Sequence, residues 1–392
     1  HPGRPMSLRQ AVERIWAWVE RWFTTPVPRA AGRMGIFRVL FGLAYLWHLS
    51  IFDASLFGGL PAGYQSDSIW LSSALPFDPT AAQLRWLDSL LVGALVLLIV
   101  GLRTQAVTAV VLVAGVLREA VLSGVGAENG NVFLVFHLPL FMLLVGRWGS
   151  THSIDARRVH ERGGRPVDPA DDAWPSFLAA RANLVILAVL FSSSALFKTL
   201  SGGTWLTDRH LLVNLMLEES IESARTGAWS NPIAPWVASH PVAGFALQLM
   251  VLSFEGLFVL ALLHPLLRSF FLSAALVFHS VNALFMTVSF TPILIVYALF
   301  VDWQAALDRI RRLVPPPPKV PDRMLVPGAL ALAALLAITW RHGPEIAFNL
   351  GGRIDWRTVW LPVLPLAVVA TVVSGTRVVR HLAGRGRPAP GG

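Results

Sequence analysis

The sequence predicts an all-α, polytopic integral membrane protein, a helical bundle of about ten transmembrane spans. Three observations predict this class. The 392 residues are 54% hydrophobic and only 14% charged, whereas about 25% of residues are charged in soluble domains. Apolar runs recur at about the 20-residue length that a helix needs to cross the hydrocarbon core. Positive residues fall in short loops between these runs, so the net charge of +9 indicates membrane topology and not a nucleic-acid partner.

The N-terminal segment, residues 1–30, is predicted to form an amphipathic helix on the cytoplasmic membrane surface. Apolar residues such as Leu8, Val12 and Trp16 recur at helical spacing, with charged residues between them. This stretch lacks the short apolar core of a secretory leader, and Met6 is a candidate start.

The spans are predicted from the length and position of the apolar runs. They lie at Met34–Phe52, Leu84–Leu102, Thr104–Leu122, Asn131–Val145, Ala182–Leu200, Val242–Leu263, Arg268–Val288, Pro292–Trp303, Leu325–Trp340 and Val359–Ser374. Residues 31–304 would then form one transmembrane domain, 305–324 a Pro- and Arg-rich cytoplasmic linker, 325–375 a final helix pair and 376–392 a basic cytoplasmic tail.

The loop charges predict the orientation of the bundle. Arginines such as Arg103, Arg268 and Arg323 fall in alternate loops, and acidic residues such as Asp53 and Asp208 fall in the others. Because arginine and lysine accumulate on the cytoplasmic side, both termini are predicted to be cytoplasmic. The arginine-rich composition is typical of a GC-rich genome, and we expect an integral protein of a bacterial plasma membrane.

Ionisable residues inside the predicted spans are candidates for pairing or function, because burying a charge in lipid is costly. On the first span, Arg38 and His48 share a face with aromatic residues. We interpret Arg38 as a helix-packing arginine tied to a carboxylate. Glu119 in the third span is the candidate partner of Arg38 or of His48.

A second polar group is predicted where the sixth and seventh spans form a hairpin. Glu255 and His279 lie at similar depth on either side of a tight loop, and Asn282 shares a face with His279. A Glu255–His279 pair could shuttle protons, bind a polar headgroup or tie the two helices together. A metal site that adds His137 is disfavoured because no two ligands have helical i, i+4 spacing.

Lys198 and Lys319 are the only lysines in the chain, and Lys198 lies near the outer end of the fifth span. One interpretation is a lysine that extends to the headgroup region. The other is a desolvated lysine that acts as a base, because burial disfavours the ammonium form. Glycines follow it and would let backbone approach a ligand closely.

Several motifs occur in a characteristic order between Arg33 and Trp303. They are Arg38 with Gly42, then Glu128-Asn129-Gly130-Asn131, Ser153-Ile154-Asp155-Ala156-Arg157-Arg158, Phe197-Lys198-Thr199-Leu200-Ser201-Gly202-Gly203-Thr204-Trp205, Glu255 and Phe278-His279-Ser280. In this order they resemble the HTTM (horizontally transferred transmembrane domain) family, which includes the membrane portion of vitamin K-dependent γ-carboxylase.

This resemblance implies a function at the extracytoplasmic side of the membrane. In the carboxylases, a lysine at the position of Lys198 deprotonates vitamin K hydroquinone, and the oxygenated product removes a γ-proton from a substrate glutamate. The resemblance therefore implies Lys198 as a catalytic base, a reduced quinone as cofactor and a peptide or lipid substrate. The expected supporting residues are Glu255, His279, Asn282, Arg38, His48, Glu119, Asn129, Asn131 and Trp205. The alternative is a non-catalytic protein, either a transporter or a maturation or immunity factor for an exported peptide.

Overall fold

The structure, a computed structural model, divides the chain into two compact units. It describes residues 7–50, 54–60, 79–124, 136–137, 139–141, 143–165, 167–171, 174–200, 204–225, 233–286, 293–312, 322–342 and 356–385, and every regular element in these ranges is helical. The first unit comprises His1–Asn183 and Ala298–Gly352, and the second comprises Leu184–Tyr297 and Arg353–Gly392.

The first unit is built around the helix Ala81–Val100, which packs against three other helices. Its helices are α1 (Leu8–Thr24), α2 (Ala30–Leu49), a 3-10 turn (Ala54–Phe57), α3 (Ala81–Val100), α4 (Thr104–Gly124), α5 (Ile154–Glu161) and, from the later segment, α13 (Trp303–Arg311) and α14 (Asp322–His342). Capping boxes begin α1 at Ser7 and α3 at Thr80. The aromatic side chains of Phe37, Phe41 and Tyr45 are buried along α2. Helix α3 packs against α2, α4 and α14.

The second unit combines long apolar helices with a small cap. Its helices are α6 (Trp174–Leu200, within this unit from Leu184), α7 (Thr204–Thr207), α8 (Leu211–Arg225), α9 (Ala234–Ser239), α10 (Pro241–Leu257) with a 3-10 extension (Phe258–Leu262), α11 (Pro265–Met286), α12 (Ile293–Ala298) and α15 (Trp356–Arg385). Helix α11 packs extensively along α15. The cap is formed by α8 and α9, which share an apolar cluster centred on Leu212, Met216 and Val237.

Within the described ranges, six helices are long and apolar enough to cross a membrane. They are Ala81–Val100, Thr104–Ser123, Leu178–Leu200, Pro241–Leu262, Pro265–Leu284 and Leu361–Leu382. The last one is the least enclosed by protein, with only 11% of its apolar window buried, and side chains such as Leu366 and Val379 are exposed. Exposed apolar surface of this extent is typical of a helix that faces lipid. The chain is thus an all-helical protein with six candidate spans, as expected for a polytopic membrane protein.

The remaining four predicted spans differ from these six in identifiable ways. The run Met34–Phe52 lies largely in α2. This helix carries two arginines, and protein covers most of its residues, so it does not need a continuously apolar sequence. The run Pro292–Trp303 contains only the six-residue helix α12, about 9 Å long at 1.5 Å per residue. The run Leu325–Trp340 lies in α14, whose apolar stretch is shorter than a full span. The run Asn131–Val145 is described only in part, and the Pro-rich linker at Pro315–Pro318 lies outside the described residues.

Candidate functional site

The second unit contains a partly buried ion pair between Lys198 and Glu255. Lys198 lies in the last turn of α6, and Glu255 lies near the end of α10. The Lys198 Nζ atom donates to both carboxylate oxygens, at 2.5 Å to Oε1 and 2.7 Å to Oε2. The Lys198 side chain is 20% exposed and that of Glu255 only 4%. The carboxylate therefore depends on the ammonium for its charge compensation, whereas the ammonium retains some access to the surroundings.

Trp205 completes the surroundings of the amine. Its ring centroid lies 4.8 Å from the Lys198 Nζ atom, a distance at which an indole face attracts a cation. The intervening residues Ser201–Gly203 lie outside the described residues. The Lys198 side chain thus meets a carboxylate and an aromatic face, and neither sequence interpretation of this lysine included a carboxylate partner.

Gln248 fixes the segment that carries Trp205. Its side chain is fully buried, on the same face of α10 as Glu255. Its Nε2 atom donates to the backbone carbonyls of Trp205, at 2.5 Å, and Asp208, at 3.0 Å, while its Oε1 atom accepts from the Leu212 backbone N–H at 3.2 Å. One amide side chain therefore satisfies three backbone groups around α7 and the start of α8, which holds Trp205 above the ion pair. The sequence analysis did not identify this role of Gln248.

Aromatic rings of α6 and α10, the two helices that carry the ion pair, pack against one another and against a ring of α11. The Phe191 ring lies 5.3 Å from that of Phe254 and 4.4 Å from that of Phe258, and Phe254 stacks on Phe278 at 5.1 Å. Phe254 immediately precedes Glu255 in α10. These rings hold α6 and α10 together, and the low exposure of both charged side chains means that their interaction is stronger than it would be in water.

The predicted pairing of Glu255 with His279 is wrong. Glu255 binds Lys198, and the His279 Nε2 atom forms a 2.9 Å hydrogen bond with the Tyr297 hydroxyl. A carboxylate gains more from an ammonium that reaches both of its oxygens than from a neutral imidazole. The His279 ring lies 5.9 Å from that of Phe191, so it belongs to the aromatic cluster of α6, α10 and α11. Asn282, on the same face of α11, is half-buried.

Arg38 does not pair with Glu119, its expected carboxylate partner; the carboxylate whose charge acts on the guanidinium is that of Asp155, without a hydrogen bond between them. The Arg38 guanidinium donates instead to backbone carbonyls of the first unit, those of Trp148, Thr151, Ile99 and His152. Backbone turns there include Gly101 and His152 at positive φ, and such turns leave carbonyls without helical partners, which a five-donor guanidinium can satisfy. Arg38 lies near the turn at Gly101, where Thr104 begins α4, whereas Glu119 lies fifteen residues further along this helix. Glu119 is therefore about 22 Å from that end of α4, too far away to pair with Arg38.

Other polar residues of the first unit have local roles. Glu119 is buried and accepts a hydrogen bond from Ser123 at 3.3 Å. His48 is buried, with its ring 5.1 Å from that of Phe136. Burial lowers the pKa of His152, whose Nε2 atom lies 2.8 Å from the Gln304 Oε1 atom. Asn129 and Asn131 lie outside the described residues.

A buried ion pair that sequence reasoning missed joins α3 and α4. The Arg118 Nε atom donates to the Asp88 Oδ1 atom at 2.9 Å, and the two side chains are 1% and 5% exposed. The signal was present in the sequence, since both residues lie about fourteen residues from the tight turn at Gly101–Arg103 and hence at similar depth.

A tightly packed glycine supports the hydrogen bond between Tyr45 and His137, which is 2.8 Å long. A Cβ atom at Gly115 would lie 2.5 Å from both the His137 Nε2 atom and the Tyr45 hydroxyl. We therefore expect Gly115→Ala to destabilise the protein by about 1–3 kcal/mol, through overpacking and loss of the hydrogen bond. This loss is measured as a change in the free energy of unfolding in mixed micelles. The matched control is Gly328→Ala, because a Cβ atom there meets nothing within 4 Å; equal effects of both changes would contradict the expectation.

Comparison with protein families, curated proteins and solved structures found no match to the chain. The function is therefore argued from the residues themselves.

Proposed function

We propose that this protein is a membrane enzyme of the HTTM type in which Lys198 and Glu255 form an acid–base pair. Its cofactor would be a lipid-soluble reduced quinone, and its substrate a peptide or lipid at the extracytoplasmic face. The observation that carries the proposal is the Lys198–Glu255 ion pair, which lies between apolar helices with Trp205 against the amine. Ionisable residues in such surroundings are costly and are commonly functional.

The proposed topology has ten spans, with α1 on the cytoplasmic surface and both termini in the cytoplasm. This arrangement adds four spans to the six candidates, namely α2, the run Asn131–Val145, the region of α12, and α14. In support, α2 is enclosed by protein and does not need the apolar sequence of a lipid-facing helix. In α1 the Trp16 side chain is 69% exposed and that of Val12 is also exposed. Exposed apolar residues of this kind are typical of an amphipathic helix that lies on a membrane with its apolar face in the lipid. In this topology Lys198 lies at the extracytoplasmic side.

The chemistry assigned to the pair is proton transfer over short distances. One proton of the Lys198 ammonium would first pass to the Glu255 carboxylate along their hydrogen bond, and the neutral amine would then accept a proton from a cofactor hydroxyl, which leaves an oxyanion beside the regenerated ammonium. Trp205 would stabilise the same cation through its ring face. The aromatic rings of Phe191, Phe254 and Phe278 suit a planar ring as ligand. A bound hydroquinone would supply the weakly acidic hydroxyl and the reducing equivalents.

The proposal is tested with the full-length protein in lipid nanodiscs. The assay supplies vitamin K hydroquinone, oxygen, labelled bicarbonate and membrane extract, and it follows quinone epoxide and incorporated label. We expect Lys198→Ala and Glu255→Gln to reduce turnover by roughly a hundredfold or more, the usual contribution of a general base. Lys319→Ala and Glu13→Gln are the matched controls and should retain activity. Wild-type protein that forms neither product, or full turnover in Lys198→Ala, would contradict the proposal.

A further inference from the structure

The first unit contains a pocket of about 310 Å³ where α4 begins. It is independent of the Lys198 site, which belongs to the second unit. Its wall is formed by the first residues of α4, the turn before α5, one face of α5 and the segment after it. The lining residues are Thr104, Gln105, Arg147, Gly149, Ser150, Asp155, Ala156, Val159, Arg165 and Val167.

Two arginines give this pocket a positive character. Among the described residues, neither Arg147 nor Arg165 takes part in an ion pair. Both are exposed, and Arg147 adopts a left-handed backbone conformation with φ of 44°. Such a conformation is uncommon for a side chain other than glycine, asparagine or aspartate.

The carboxylate in the wall offsets only part of this charge, because the lining has two arginines against the single Asp155, and the hydrogen bonds of Asp155 are directed to the start of α4. The Asp155 oxygens accept from the backbone N–H groups of Arg103, at 2.8 Å, and Thr104, at 2.7 Å, and from the Thr104 hydroxyl at 2.8 Å. It therefore caps the start of α4. The remaining donors around the pocket are the two guanidinium groups, the Gln105 amide and the Ser150 hydroxyl, and this set recognises an anion.

The position of the pocket and the apolar part of its wall indicate which class of anion it would bind. The candidate span Thr104–Ser123 begins in its wall, so the pocket lies at the level where lipid headgroups meet water. Ala156, Val159 and Val167 supply apolar surface beside the arginines. The volume exceeds what a bare phosphate needs and leaves room for a glycerol-sized group. We propose that this pocket binds a phosphate group, as a lipid headgroup or as a free phosphate compound, through Arg147 and Arg165.

The experiment titrates the purified full chain in uncharged detergent with two probes, inorganic phosphate and dihexanoyl phosphatidylglycerol, by calorimetry. We expect saturable binding that weakens about tenfold in each of Arg147→Gln and Arg165→Gln, because charge-assisted hydrogen bonds are lost. Arg162→Gln is the matched control, since Arg162 is an exposed arginine of the same loop that does not line the pocket. Tighter binding of the lipid would assign a headgroup site, and equal affinity would assign a site for soluble phosphate compounds.

Two outcomes would overturn the inference. One is the absence of saturable binding of both probes to the wild-type protein. The other is binding that Arg165→Gln leaves unchanged, or that Arg162→Gln weakens equally. Arg165→Gln is decisive because Arg165 lies outside any helix and is exposed, so the variant should fold as the wild type does. An inactive Lys198 site would leave the result unaffected, because the measurement is of binding alone.

Discussion

Asp88→Asn is expected to destabilise the first unit by about 3–5 kcal/mol, as for the removal of one partner from a buried ion pair. The Arg118 guanidinium is only 1% exposed and lies 2.9 Å from the Asp88 carboxylate. Asparagine can replace a hydrogen bond but not the negative charge, so the guanidinium would lose its nearest compensating charge while still excluded from water. Equilibrium unfolding in mixed detergent micelles, followed by far-UV circular dichroism, measures the loss.

The matched control is Glu13→Gln in α1, which makes the same kind of change in an exposed ion pair. The Arg9 and Glu13 side chains are 89% and 60% exposed, so we expect an effect of at most about 1 kcal/mol. The double variant Asp88→Leu with Arg118→Met should recover much of the stability, because neither charge of the pair is then left without its partner. A loss in Asp88→Asn no larger than in Glu13→Gln would show that Asp88 does not compensate Arg118.

The helices were predictable because the length and the composition of an apolar run are properties of one continuous stretch of sequence. Apolar length and a low charge content predicted α3, α4, α11 and α10 with its 3-10 extension to within about three residues of their observed ends, and they predicted the end of α6 but not its start, which lies eight residues earlier. The same signals fail for α12, where an apolar run forms only a short helix. A short helix buried in protein is as apolar as one that faces lipid, so composition alone does not distinguish them.

Side-chain partners were less predictable because they depend on which helices pack together. Lys198 and Glu255 are 57 residues apart, and no spacing rule connects residues on separate helices. Arg38 shows a second cause, since its partners are carbonyls exposed by backbone turns, and the sequence carries no direct sign of these. Asp88 and Arg118 are the exception, because a tight turn between antiparallel helices places them at equal depth.

The Lys198–Glu255 pair should respond unequally to the loss of each partner. Lys198→Met removes the ammonium from a carboxylate that is 4% exposed, whereas Glu255→Gln removes the carboxylate from an ammonium that is 20% exposed. The cost of an unpaired charge rises with its exclusion from water, so Lys198→Met should cost about 3 kcal/mol or more and Glu255→Gln clearly less. The free energies of unfolding of the wild type, of both single variants and of the double variant Lys198→Met with Glu255→Gln form a double-mutant cycle.

The double variant separates a charge pair from a packing effect. If the two side chains interact mainly through charge, Lys198→Met with Glu255→Gln should be more stable than Lys198→Met alone, because the uncompensated carboxylate is gone. Additive losses, or a larger loss in Glu255→Gln, would mean that Glu255 is not held by the amine as the geometry indicates. The stability order thus tests the charge pairing by itself, without reference to turnover, and a pair that passes it would supply the proton donor and acceptor that the proposed reaction at Lys198 requires.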